Sequence, residues 1–465
     1  MFERSPHPRA ASPLPTTAGS TIAPLCFKRS CCSVAWLLLL LVAIPSVSLA
    51  QASPGSTDEA DAMLADYSAR VGEPASLDEL LAHAEEHAPA TLEARERVGL
   101  GDAAVDGAQR FQPYNPELES EIGVGLRDVG LAKAEATLRQ RFEVAGERKL
   151  RTRVAQRRKE ALEAEVDQAR WSVHEQVHRI YRLGLIGQER VEIERETLDF
   201  TRRLLGIARD RYSAGEEPRT SVILARAELA RARQQLVRAW ISYVERLYDL
   251  ESIIGWQESK PPQPTGQLPS PRALPPGAEL LEKAFKEDPQ LAVLRASLAQ
   301  ARAELALHER AVWPDPTLGI GWEGENLAGS QTNNTLRFVV GVPLPIWNRN
   351  QGPIAEARSR IDIIETTIDS REHVLRARVL KRAETVQGAY DQARIYEQEV
   401  LPALQTQLEL LEEGFDLGEL SLLDVMNARD RLLAVQRQHL AALREYFVAV
   451  SQLENLLGTA IWNDQ

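Results

Sequence analysis

Cysteine is confined to Cys26, Cys31 and Cys32, so neither a disulfide framework nor a cysteine-held metal can form in the remainder of the chain. Aromatic residues are scarce at 6%, and the 27 glycines follow no triplet period, which excludes a collagen-like fibre. Positive charge is in deficit: 55 Lys and Arg against 67 Asp and Glu give a formal net charge of −12, which disfavours nucleic acid as a partner. The 465 residues hold no phosphate-binding Gly-Lys-Ser/Thr loop, no Gly-x-Ser-x-Gly elbow and no Gly-x-Gly-x-x-Gly opening a helix after a strand. Nucleotide hydrolysis is not expected, so energy for any transport must come from elsewhere.

Long apolar runs are also missing, apart from Val34–Ile44. Lys28 and Arg29 precede that run, and Pro45 and the small residues Ser48 and Ala50 follow it. It falls short of the roughly 20 apolar residues a spanning helix needs, so residues 1–50 read as a secretory signal that is cleaved. Its removal leaves 51 basic against 66 acidic residues and no cysteine. Residues 51–73, rich in Ala, Ser, Asp and Glu, are expected to stay flexible.

What is present is a duplication. Residues 257–277 carry seven prolines and read as an irregular linker, dividing a first repeat (74–256) from a second (278–465). Setting Tyr212–Gly255 against Phe415–Gly458 without a gap makes 12 of 44 positions identical, among them Gly215/Gly418, Glu216/Glu419, Tyr243/Tyr446 and Gly255/Gly458. Each repeat opens with an amphipathic pattern of about 35 residues, roughly 76–111 and 277–312, read as one helix. Two alternating stretches follow: 117–125 and 137–145 in the first repeat, 317–323 and 335–342 in the second. In the first of these Leu118, Ile122 and Val124 share one face while Glu117, Glu119 and Glu121 take the other, a strand period of two. A charge-laced helix then reads from about 147 to 211 and from about 354 to 414. At 1.5 Å per residue each spans roughly 90 to 100 Å, too long for a compact domain and suited to a bundle or tube. A glycine-bearing turn and a returning helix to Gly255 or Gly458 close each repeat.

The fold class is mainly α with a small β part. Four strands, apolar on one face and polar on the other, make no closed barrel alone, and their edges need other strands. Other copies of the chain are the simplest partners, and the pattern suits a barrel with lipid outside and water inside. Phe111, Tyr114, Trp313 and Trp347 flank the strands where interfacial aromatics belong. A water-soluble sheet packed on helices is the alternative.

Duplication, strand pairs and helix–turn–helix endings together resemble the TolC-type outer-membrane efflux proteins over essentially the whole mature chain. Gly341-Val-Pro-Leu-Pro-Ile-Trp-Asn-Arg-Asn-Gln-Gly352 resembles a segment of the heavy-metal branch, the CzcC- and CusC-like channels, and Gly418-Glu-Leu-Ser-Leu-Leu-Asp-Val-Met-Asn427 resembles the family's helical-tip motif. The resemblance implies a homotrimer with a twelve-stranded barrel in outer-membrane lipid, a periplasmic helical tunnel, a periplasmic adaptor and an inner-membrane RND pump. It implies passive conduction, no cofactor and no catalytic residue. Heavy-metal cations are the expected substrates, with drugs or other organic compounds as the near alternative.

Asp424 matches the family's first constriction aspartate, where three carboxylates in one ring would attract cations. Asn427 stands at the second acidic position, which argues against a two-ring lock. Asp424 also suits a helix N-terminus by itself. Gly215, Glu216, Glu217, Gly418 and Glu419 are expected at the tips, facing an adaptor or solvent. One motif competes: His174-Glu175-Gln-Val-His178 has the H-E-x-x-H spacing of zinc peptidases. It lies inside a long helix of the repeat with no identifiable third ligand, so a solvated helix face is the expected role. A periplasmic metallopeptidase and a soluble coiled-coil scaffold are the alternatives from other classes.

Overall fold

The computed structural model describes residues 69–124, 132–216, 218–327, 331–416 and 422–462. The expected signal and most of the segment after it, residues 1–68, lie outside the described residues.

The first repeat begins with a two-residue strand, β1 (Pro74–Ala75), and the helix α1 (Leu77–His87). Ser76 caps α1: its hydroxyl accepts from the Glu79 amide at 3.3 Å, and the Glu79 carboxylate accepts from the Ser76 amide at 2.8 Å. The pattern read as one helix then breaks at Ala88, because Pro89 drives the residue before it out of helical geometry (ψ 124°). α2 (Pro89–Gln109) restarts with proline at its first turn, where no amide donor is needed. β2 (Glu117–Val124), β3 (Ala132–Arg141), α3 (Glu147–Ser213) and α4 (Arg219–Ile254) complete the repeat. β3 begins five residues earlier and ends four earlier than the alternation places it.

The second repeat follows a linker containing the short strand β4 (Gln263–Pro264). α5 (Gly277–Glu287) and α6 (Pro289–Arg310) replace the single expected helix for the same reason, here broken at Asp288, whose carboxylate accepts from the Leu291 amide at 2.7 Å. β5 (Thr317–Leu327), β6 (Gln331–Gly341), α7 (Gln351–Ile395), α8 (Leu401–Asp416) and α9 (Leu422–Leu457) follow. The second long helix is not continuous: a π-turn, Tyr396–Val400, separates α7 from α8. Pro402 is the cause, since it offers no amide to the Gln398 carbonyl and its ring crowds that oxygen, which a wider turn relieves.

α3 is the spine. Its 67 residues extend about 100 Å at helical rise, and α2, α4, α6 and α9 pack along it. Leu198, Leu205, Leu236 and Leu247 fill the seam with α4, and Leu375, Val379, Leu440 and Leu453 fill the seam between α7 and α9. The linker is clasped against this spine rather than loose. β1 pairs parallel with β4, the Gly72 amide donates to Pro261 at 2.9 Å, and Gln188 Nε2 donates to the Pro264 carbonyl at 2.7 Å. Tyr243 and Tyr446, matched by the duplication and both fully buried, each hydrogen-bond here: Tyr243 with Gln188 and Tyr446 with the backbone of Arg272.

β2, β3, β5 and β6 form one antiparallel sheet in that order, which leaves β2 and β6 as open edges. No described helix is long and apolar enough to cross a membrane, which says nothing of strands.

Candidate functional site

Register fixes the two faces of the sheet. Leu118, Leu138, Ile320 and Phe338 stand in one cross-strand row, and Trp322 pairs with Leu336 in another. All of these apolar side chains are exposed, Phe338 at 79%. The alternate residues carry charge. Lys133 reaches Glu323 at 2.6 Å, Arg337 reaches both Glu323 (3.2 Å) and Glu135, and Arg139 reaches Glu119 at 2.7 Å. A sheet with this mesh on one side and bare hydrocarbon on the other is stable only with an apolar phase against the latter. Phe111, Tyr114, Trp313 and Trp347 all lie beside the strand ends that join the helices, and Trp347 is 87% exposed. The Arg141 guanidinium rests 4.4 Å from the Tyr114 ring centroid.

Below those strand ends sits a charge cluster that the alternation pattern does not reveal. Glu143, Glu147 and Asp315 line one pocket with Arg141 and Arg151, and Arg310 lies 3.7 Å from Glu147. Arg141 holds Asp315 at 3.0 Å and Arg151 holds Glu143, yet Glu143 Oε2, Glu147 Oε1 and Asp315 Oδ1 are buried and accept no hydrogen bond. Burial pushes the Glu143 and Asp315 carboxyls above their ordinary values, their arginines oppose the shift, and neighbouring carboxylates add to it. Both groups hold protons more tightly folded than unfolded, so they add stability below the ordinary carboxylate range and lose it as pH rises through the raised values. On acidification from neutral toward the ordinary carboxylate range, wild type is therefore expected to gain thermal midpoint relative to Glu143→Gln, a difference that isolates this carboxyl from the buried imidazoles His174 and His178, which act in the opposite sense; an identical pH profile for both proteins would contradict this.

The middle of the spine holds the pairing that joins the two repeats. Glu194, fully buried on α3, accepts from Arg190 Nε at 2.8 Å and from Arg437 on α9 through Nε at 3.1 Å and Nη2 at 2.8 Å. Asp288 is likewise buried and meets Arg371 at 2.6 Å. Sequence reading missed both, because neither one glutamate among many on a charge-laced helix nor an aspartate ahead of a proline carries a local mark of burial.

The tip is described in part. Gly215 adopts the left-handed conformation (φ 81°) after α3, and Glu216 donates its amide to Arg211 at 2.9 Å. Glu217, Gly418 and Glu419 lie outside the described residues. Asp424 and Asn427 are exposed, three residues apart on one face of α9, with Asp424 in the first turn where the helix dipole favours a carboxylate.

His174 and His178 stand with ring centroids 4.5 Å apart on α3, and Trp171 stacks on His174. Burial depresses both imidazoles, His178 to about 3, with His174 and Arg182 adding to that shift. Glu175 points elsewhere and pairs with Arg179 at 3.3 Å. Among the described residues no group of three His, Cys, Asp or Glu side chains could hold a metal.

Two stretches, residues 81–256 and 280–459, match the family described as outer membrane efflux protein. The chain belongs to that family. Residues 257–279 separate the two matched stretches. The chain is 26% identical over 347 residues to the cobalt-zinc-cadmium resistance protein CzcC of Cupriavidus metallidurans, covering 74% of this chain and 81% of that protein. It is 25% identical over 285 residues to the outer membrane protein TolC of Vibrio cholerae, covering 59% of this chain and 65% of that one. The crystal structure of CusC superposes with a TM-score of 0.67 at 18% identity, covering 83% of this chain and 92% of that chain. This efflux protein is accordingly an outer-membrane channel component with a long helical periplasmic extension, and it is a conduit rather than an enzyme. The peptidase alternative falls with that, and the scaffold and soluble-sheet alternatives fall with the family's place in the outer membrane.

Proposed function

We propose that this efflux protein works as a homotrimer that conducts heavy-metal cations passively from an inner-membrane RND pump and a periplasmic adaptor to the exterior. The sheet carries the reading: two unpaired edges, a bare apolar face and a charged face in register need further strands and lipid. Three such sheets would close a twelve-stranded barrel, with Phe111, Tyr114, Trp313 and Trp347 at its inner-leaflet interface. Residues 74–256 and 278–465 act as the two repeats, joined by the 257–277 linker, after cleavage of 1–50 and a leading segment 51–73. Similarity to CzcC and the Pro343–Gly352 segment favour metal cations over organic compounds.

Asp424 from three copies would form a single carboxylate ring at the tip with Asn427 beside it, and the tips around Gly215, Glu216, Glu217, Gly418 and Glu419 would receive the adaptor. Purified protein in a planar bilayer is expected to give discrete conductance steps that an added divalent cation blocks, and Asp424→Ala is expected to weaken the block. Steps indifferent to the substitution would reduce Asp424 to a helix-terminus residue. A detergent-independent monomer without conductance would overturn the trimeric channel. In cells, loss of the protein should raise sensitivity to cobalt, zinc or cadmium; sensitivity to organic compounds alone would favour the other substrate class.

A further inference from the structure

Where α3, α4 and α9 meet at mid-height, four arginines line one groove of about 200 Å³: Arg190, Arg246, Arg437 and Arg444. Arg190 and Arg437 share the single carboxylate of Glu194. Arg246 and Arg444 make no ion pair among the described residues, and Arg246 has only a 3.4 Å contact with the Ser242 hydroxyl. Burial and the nearby Arg444 both work against the charge on Arg246, and Asp249 and Glu245 on the same helix offset them only in part. Glu194 is the one carboxylate in ion-pair contact with these four cations among the described residues, which leaves a positive excess around the half-buried Arg246, where like charges repel more strongly than in water.

The other walls are uncharged: Gly187, Tyr243, Ser242 and Leu440 line the groove with no acidic side chain among them. Tyr243 separates this groove from the linker, since its hydroxyl meets Gln188, which in turn donates to the Pro264 carbonyl. Arg190 stands about 200° around the helix from Glu192, which lines the linker-side groove with Gly266 and Leu268.

We propose that this groove is a binding site for a small tetrahedral oxyanion, of the class of inorganic phosphate or sulfate, held chiefly between Arg246 and Arg444. Planar guanidiniums suit such anions because each offers paired N–H donors to two oxygens. The bound anion would join α4 of the first repeat to α9 of the second, beside the Glu194–Arg437 pair that joins α3 to α9. This inference does not rest on the channel reading, since binding is measured on the detergent-solubilised chain whatever it conducts.

Calorimetric titration with inorganic phosphate, at ionic strength held constant with sodium chloride, should show saturable binding near one anion per chain, displaced by sulfate. Arg246→Gln and Arg444→Gln should each weaken it about tenfold or more, the scale of losing one charge-assisted contact. Arg231→Gln, on a different groove of the same helix bundle, should leave it unchanged. Arg444 is exposed, so its replacement threatens folding little, and Arg444→Glu should abolish binding while circular dichroism stays unaltered. Absence of saturable binding, or equal binding by wild type and both glutamine variants, would overturn the proposal. A tungstate-soaked crystal without anomalous density between Arg246 and Arg444 would also overturn it.

Discussion

Gly458→Val is expected to prevent stable folding of the second repeat. Gly458 ends α9 in the left-handed region (φ 70°), where a β-branched residue is strained by itself. A Cβ there would also run into the Glu287 carbonyl, with the carbonyl carbon and Pro289 Cδ both 2.8 Å away. Nothing in that contact is flexible: the obstacle is backbone at the α5–α6 break, pinned by the Asp288–Arg371 pair. Backbone strain of about 1–3 kcal/mol and forced separation of α9 from that break act together, putting the loss above about 4 kcal/mol. Gly255 occupies the equivalent place, with φ 69° and His87 and Pro89 against it, so Gly255→Val should act alike on the first repeat. Gly352→Ala, where an added Cβ meets nothing, is the control. Thermal unfolding of the solubilised proteins checks the prediction; midpoints within a few degrees of wild type for both valine variants would show that the helix ends separate freely.

Glu194→Ala is the second large effect expected. Removing this carboxylate strands Arg190 and Arg437 in a half-buried seam without a counter-charge. Breaking one side of a buried pair costs about 3–5 kcal/mol, because the remaining charge keeps its desolvation penalty and loses its partner. Glu192→Ala, two residues away and facing solvent with Arg195, should change stability by less than about 0.5 kcal/mol. Equal midpoints for the two variants would mean that the seam is hydrated enough to dispense with the pair. The Glu194 variant should lose the contact between the repeats first, so limited proteolysis should cut the linker region sooner than in wild type.

Local pattern carried much of the architecture. Alternation over 117–125 placed the first strand to within one residue, and over 317–323 it found the start of the third but ended four residues short of Leu327, because a strand's faces are set by a period of two that the Gly324-Glu325-Asn326 stretch does not show. The Gly255 and Gly458 helix ends were legible for a similarly local reason, the left-handed turn that favours glycine. The breaks at Ala88, Asp288 and Tyr396–Val400 were also in the sequence, through Pro89, Pro289 and Pro402, but an amphipathic pattern running across them concealed the interruption.

By itself, then, the sequence determined the duplication, the order of helices and strands, and the apolar face of a sheet that one copy cannot complete. Only the tertiary structure decided which charges matter. It chose Glu194 rather than Glu192 for the seam, drew Glu143, Glu147 and Asp315 together from different elements, and brought Arg246 of one repeat beside Arg444 of the other. Periodicity is written in neighbouring residues, whereas burial and long-range charge pairing depend on which distant helix arrives alongside, and a repeated amphipathic pattern leaves that choice open.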